Sequence, residues 1–182
     1  MVITLQKTTG SDEFKTPEYI VKVLIPFIPK EVKIVWECAS NGGSLISKVL
    51  RENGYELHEI ADYFSNSIFH TSQPKEYDAV ITNPPYSLKT EFLEQAYSNN
   101  KPFAFLMPVT TLEDADNTRH RLFKRYGIQL ILPDHRTDFI TPTGKGSGSW
   151  FLTCWFCWKF NLPEQLNFVH MDKPENMKKV HE

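Results

Sequence analysis

The sequence is short of cysteine, glycine and net charge, and it has no long apolar run. Three cysteines in 182 residues is a small and odd number, so no disulfide framework is expected. Two of them, Cys154 and Cys157, stand inside an aromatic run. A zinc site needs four ligands, and no second cysteine pair or suitable histidine lies near them. They read as reduced core thiols, and no metal is expected. No stretch approaches the roughly 20 apolar residues of a membrane-spanning helix. The opening MVITLQKTTGSDEF lacks the basic region and cleavage site of a signal peptide. The expectation is therefore a cytoplasmic protein with no membrane partner. Lys and Arg total 20 against 22 Asp and Glu, a net charge of −2. That balance argues against a strong, autonomous nucleic-acid binder, although a local basic face remains open. Repeats and low-complexity segments are lacking too. Of eight glycines, Gly144, Gly146 and Gly148 share one loop. That loop does not follow a strand and open a helix, so it is not a phosphate-binding loop.

What is present is alternation. Apolar strand-like runs and amphipathic helical stretches follow one another, which predicts an α/β doubly wound, mostly parallel sheet in a single domain. Thr16 reads as an N-cap and Pro17 as a first helical residue, with a helix over 17–28 kinked or ended by Pro26. Strands are expected over 33–38, 55–60, 78–83, 101–108 and 128–132. Helices are expected over 45–53, 87–99 and 110–126, with Gly54 and Gly127 closing two of them. A last, very aromatic strand is expected over 150–160. The polar stretch 161–182 reads as a loose tail.

One strand ends unusually. Ala79-Val80-Ile81-Thr82 runs into Asn83-Pro84-Pro85-Tyr86. Two prolines remove two N–H donors and stiffen the backbone. The run therefore delivers an amide, rigid carbonyls and an aromatic ring to the carboxyl end of a strand, where ligands bind in open α/β sheets. The Asn83 side-chain oxygen and the Pro84 carbonyl can each accept a hydrogen bond from one exocyclic amino group. Tyr86 can stack on the ring that carries it. Upstream, Glu37 closes a strand and a small-residue loop, Ala39-Ser40-Asn41-Gly42-Gly43, leads into a helix. That arrangement cradles nucleotide-like ligands, because small residues admit backbone N–H groups and the helix N-terminus favours a carboxylate.

Together, Phe-x-Thr-Pro at Phe14, Thr16 and Pro17, the Glu37 loop and Asn-Pro-Pro-Tyr, in that order, resemble the S-adenosylmethionine-dependent amino-methyltransferases. The likeness is closest to small phage- and prophage-type DNA adenine-N6 methyltransferases, and it covers about residues 14–160. It implies a Rossmann-like fold with an antiparallel C-terminal strand and no separate target-recognition domain. It implies S-adenosylmethionine as cofactor, DNA as partner, and a phage or restriction-modification setting. A homo-oligomer or a partner subunit is also compatible with it. By the resemblance, Asn83, Pro84, Pro85 and Tyr86 are catalytic, and the amino nitrogen attacks the sulfonium methyl in line. Phe14, Thr16, Pro17, Glu37, Ala39, Asn41, Gly43 and Asn83 line the cofactor site. Asp62, with Glu59 in reserve, takes the ribose hydroxyls. Tyr86, Lys89, Arg119, Arg121, Arg136, Lys145 and Trp150 face nucleic acid, and Trp150 or Phe151 backs the flipped base. The chain departs from the pattern where Asn41 replaces the first glycine and Cys38 the usual proline. It also lacks an acid between Tyr63 and Lys75, where Ser67 is a substitute. Two other readings stay open: the same chemistry on RNA adenine or protein glutamine, and a non-catalytic partner subunit.

Overall fold

The computed structural model describes residues 15–39, 43–59, 76–113, 117–140 and 150–174. Seven strands form one sheet: β1 (Ile34–Glu37), β2 (Glu56–Glu59), β3 (Ala79–Thr82), β4 (Phe103–Pro108), β5 (Gln129–Pro133), β6 (Thr153–Trp158) and β7 (Leu166–Val169). Their order is β2-β1-β3-β4-β6-β5-β7. Every pairing is parallel except those of β6, which runs antiparallel to both β4 and β5. β3 and β4 are buried at every position. That is why they read as continuous apolar runs rather than as alternations.

Among the described residues four α-helices cover both faces. On one, α1 (Glu18–Leu24) and α2 (Leu45–Glu52) pack on Val35, Ala79, Ile81, Ala104 and Leu106. On the other, α3 (Lys89–Asn99) packs Phe92, Leu93, Ala96 and Tyr97 on Val80, Phe103 and Phe105. Leu122 and Phe123 of α4 (Thr118–Tyr126) join the same side. The expected doubly wound, mostly parallel architecture with a late antiparallel strand is thus the observed one. The chain enters at β1, moves outward to β2, then crosses back to β3 and β4. The switch point lies between β1 and β3, and ligands bind at the carboxyl edge beside such a point.

Several local expectations change. The first helix begins at Glu18, with Pro17 in the N-cap position and no side-chain cap. Thr16 is therefore not the cap. After Leu24 the chain tightens into a 3-10 turn over Ile25–Phe27, with Pro26 inside it. The helix expected over 110–126 is two pieces, a 3-10 turn at Val109–Leu112 and α4. Most notably, Leu166–Val169 in the stretch read as a tail forms β7 in register with β5, Leu130 against Leu166 and Leu132 against Phe168. Asn167 is buried there, and its amide donates to Leu130 O at 3.0 Å. Propensity reasoning favours neither a buried Asn nor a strand in so polar a stretch; the pairing with β5 decides it.

Candidate functional site

Glu37 is the last residue of β1, and its carboxylate is 2 % exposed. Ala39 N–H donates to its Oε1 at 3.2 Å, and the Thr82 hydroxyl donates to the same oxygen. Burial pushes the Glu37 carboxyl above its ordinary pKa, against the hydrogen bonds from Thr82, Ser44 and Ala39; the Glu59 charge adds to the rise. Glu59 ends β2 directly opposite Glu37 in the parallel register. Its carboxylate is ion-paired with Arg51 of α2. Gly43 adopts φ +72°, a conformation that favours glycine, and Ser44 then caps α2 by accepting from Ile46 N–H at 3.1 Å. Cys38 is buried beside this loop, and desolvation with the Glu37 charge raises its thiol well above the ordinary value. It is an inert packing group rather than a nucleophile.

Asn83 follows β3 at the same edge. Its Nδ2 donates to the Thr16 hydroxyl at 3.1 Å. Its Oδ1 is enclosed and accepts no hydrogen bond. Pro84 is buried and Pro85 half-buried. A 3-10 turn over Tyr86–Leu88 then leads into α3. Lys89 Nζ donates to the Tyr86 carbonyl at 3.1 Å and so holds this turn. The Tyr86 ring meets Phe139 edge-on at 6.4 Å and Phe151 edge-on at 5.9 Å.

The expected residues therefore divide. Thr16, Pro17, Glu37, Ala39, Gly43, Asn83, Pro84, Pro85 and Tyr86 lie along the carboxyl edges of β1 and β3. Phe151 reaches Tyr86, whereas Trp150 is 90 % exposed. Arg119 is taken up internally: its guanidinium donates to Thr111 O at 2.9 Å, to Thr90 Oγ1 at 2.7 Å and to Glu113 O. It fastens the start of α4 to α3 and to the turn after β4. Arg121, in the first turn of α4, and Arg136, just past β5, are exposed. Phe14, Asn41, Asp62, Ser67 and Lys145 lie outside the described residues. Sequence reasoning missed Thr82, because a threonine inside an apolar strand carries no signal until its hydroxyl is seen against Glu37. It also missed Phe139, which stands 53 positions from Tyr86 and meets it only in the fold.

No family model matches the chain, and no curated protein matches it. Solved structures do. A chain from the assembled type I R-M system matches with TM-score 0.52 and 14 % identity, over 90 % of this chain and 46 % of that one. The fold is shared. The present chain thus spans less than half the length of that relative. A predicted O-methyltransferase from Agrobacterium tumefaciens aligns more distantly, with TM-score 0.41 and 10 % identity over 84 % of this chain and 85 % of that one. Among the described residues no helix is long and apolar enough to cross a membrane, and no group of His, Cys, Asp and Glu is placed to hold a metal ion.

Proposed function

We propose that this chain transfers a methyl group from S-adenosylmethionine to the exocyclic N6 of adenine in DNA. The observation that carries the reading is Asn83. Its amide is anchored through Nδ2, which leaves Oδ1 as an acceptor with no partner inside a polar, aromatic corner. An enclosed acceptor without a donor costs about 1–3 kcal/mol, which is repaid when an amino group supplies the donor. The Pro84 carbonyl offers the second acceptor of the pair. Two acceptors on one amino group draw its hydrogens away from the lone pair and aim that lone pair out of the ring plane. Because Oδ1 is covered, the entering ring displaces the side chains over it. Tyr86 then supplies a stacking face worth roughly 1–3 kcal/mol.

The cofactor would lie across the switch point. Glu37, Ala39 and Gly43 would hold one end, and Thr16, Pro17 and Asn83 the other, joined by Phe14, Asn41 and Asp62. The fit rests on Glu37: a buried carboxyl group at a strand end, held by hydroxyl and backbone donors and in no ion pair among the described residues. When bound, S-adenosylmethionine supplies an electrophilic methyl group. Everything else is positioning, and no covalent enzyme intermediate is required. A duplex would meet Lys89, Arg121, Arg136, Lys145 and the exposed Trp150, with Arg119 acting mainly through the loop it holds.

The decisive experiment pairs calorimetry of S-adenosylmethionine binding with transfer of labelled methyl groups to DNA, RNA and peptide glutamine. N6-methyladenine in DNA is the expected product. Product on RNA or on glutamine alone would move the substrate, and no transfer to any acceptor would sink the activity. A second reading, a non-catalytic partner subunit, draws on the match to less than half of a chain from a multi-component assembly. It predicts that this chain neither binds the cofactor nor transfers a methyl group; binding and transfer that appear once a partner chain completes the pocket would speak for the catalytic reading instead.

A further inference from the structure

Residues 134–140 leave β5 and cross the site without forming a helix or strand, so their placement depends on what holds them. Asp134 N–H donates to Val169 O at 3.0 Å. The Thr153 hydroxyl donates to Thr137 Oγ1 at 2.7 Å. Asp138 N–H donates to the Tyr19 hydroxyl at 2.7 Å. Ile140 forms a two-way bridge with Lys15, at 2.9 and 3.0 Å. Through these contacts the segment carries Phe139 to Tyr86 and presses Lys15, next to Thr16, into place.

At its centre is a buried ion pair. The Asp138 carboxylate, 2 % exposed, meets the Lys173 ammonium, 7 % exposed. Lys173 also reaches Arg136 O at 3.4 Å. It sits in the strand-and-strap stretch that follows β6, behind Met171, whose side chain is wholly buried. A buried ion pair is a poor way to gain stability, since apolar residues of similar volume often do as well or better. What it adds over apolar packing is a specific pairing of opposite charges, made without a hydrogen bond to either Asp138 carboxylate oxygen among the described residues.

We propose that Lys173 is a positioning residue: its ion pair with Asp138 sets the 137–140 segment, and through it the placement of Phe139 and Thr16 around Tyr86 and Asn83. The strap after β7 is on this view a structural arm of the acceptor site. The consequence for transfer rests on the function proposed above; the consequence for the segment's order does not.

The test uses the full chain with Lys173→Met, and with Asp138→Asn as the milder variant that leaves no unpaired carboxylate if the first fails to fold. Amide exchange is read first. Protection is expected to fall by about tenfold or more at Lys15, Asp138 and Ile140, and to stay unchanged along β1. Equal protection at those three amides would overturn the proposal. Kinetics are read second, below the melting range. Acceptor kcat/KM is expected to fall by about tenfold, a larger loss than that of cofactor affinity, because Thr16 is only one of the groups that would hold the cofactor. A lowered Tm with kinetics and exchange both unchanged would make the pair merely structural and would also overturn it. If the unaltered chain transfers no methyl group, the proposed function fails, and the exchange result alone decides whether the pair holds the segment.

Discussion

The Asn83 side-chain amide donates to the Thr16 hydroxyl at 3.1 Å, across 67 positions of sequence. One residue comes from the carboxyl end of β3 and the other from the turn into α1. The contact ties the two ends of the site together and leaves the other half of the Asn83 amide, Oδ1, without a partner.

Thr16→Val keeps the shape and removes the acceptor for Nδ2. The amide is then free to rotate. We expect acceptor kcat/KM to fall by about tenfold, or ~1.4 kcal/mol, with Thr16→Ser close to the unaltered chain. Steady-state methyl transfer with varied acceptor reads this directly, and equal rates for Thr16→Val would remove Thr16 from the site.

Asn83→Ala deletes both the anchored donor and the unsatisfied acceptor. Losing the bond to Thr16 costs about 0.5–1.5 kcal/mol, and losing a buried unpaired oxygen returns about 1–3 kcal/mol. Stability should thus stay level or rise slightly, while transfer disappears and cofactor affinity is nearly kept. Thermal melts, calorimetry and transfer assays on one preparation measure all three; full activity in this variant would rule out the proposed mechanism.

Glu37 links the site to pH. Its folded-state pKa is raised, chiefly by burial. The folded chain therefore holds the proton more tightly than the unfolded one. This group's contribution is complete below its ordinary value of 4.5 and is lost as pH climbs through the raised value. Asp78, held low by the Ile34 and Lys33 N–H groups, acts in the opposite sense and only below its ordinary 3.8. Above that, the stability of Glu37→Gln relative to the unaltered chain should rise with pH up to the raised value, while the cofactor is bound less tightly. Paired melts from pH 5 to 8 test it; a relative stability that falls with pH would contradict the assignment.

His170 and Asp134 clamp the end of β7 to the end of β5, with Nδ1 and Oδ2 2.6 Å apart. The hydrogen bond to Asp134 raises the His170 pKa above 6.5, and the same contact lowers Asp134 below 3.8. The clamp is formed between those limits and loosens as pH rises through the raised histidine value. Imidazole titration by NMR should place His170 above its ordinary value, and Asp134→Asn should lower it, with Asp172 holding the remaining part of the rise.

How much of this could be read from the chain depends on how far apart the interacting groups lie. Strands β3 and β4 announced themselves as apolar runs because both of their faces are buried. Asn-Pro-Pro-Tyr was legible because its meaning is local: prolines stop a strand wherever they stand, and the strand end fixes the edge. β7 was not legible, since Leu166, Asn167, Phe168 and Val169 form a strand only where β5 offers its open side. Nor was the role of Thr16, which satisfies every local rule for an N-cap and yet serves Asn83.

By itself the sequence determined the alternation of elements, the layers they form, and the side chains delivered to the edge of β3. Those follow from side-chain periodicity and backbone restriction, which act over a few residues. Only the tertiary structure decided which groups meet around the candidate site: Thr82 on Glu37, Thr16 on Asn83, Phe139 on Tyr86, and Lys173 on Asp138. Hydrogen bonds and buried ion pairs depend on distance and direction in space, and no local pattern encodes a partner that lies dozens of residues away.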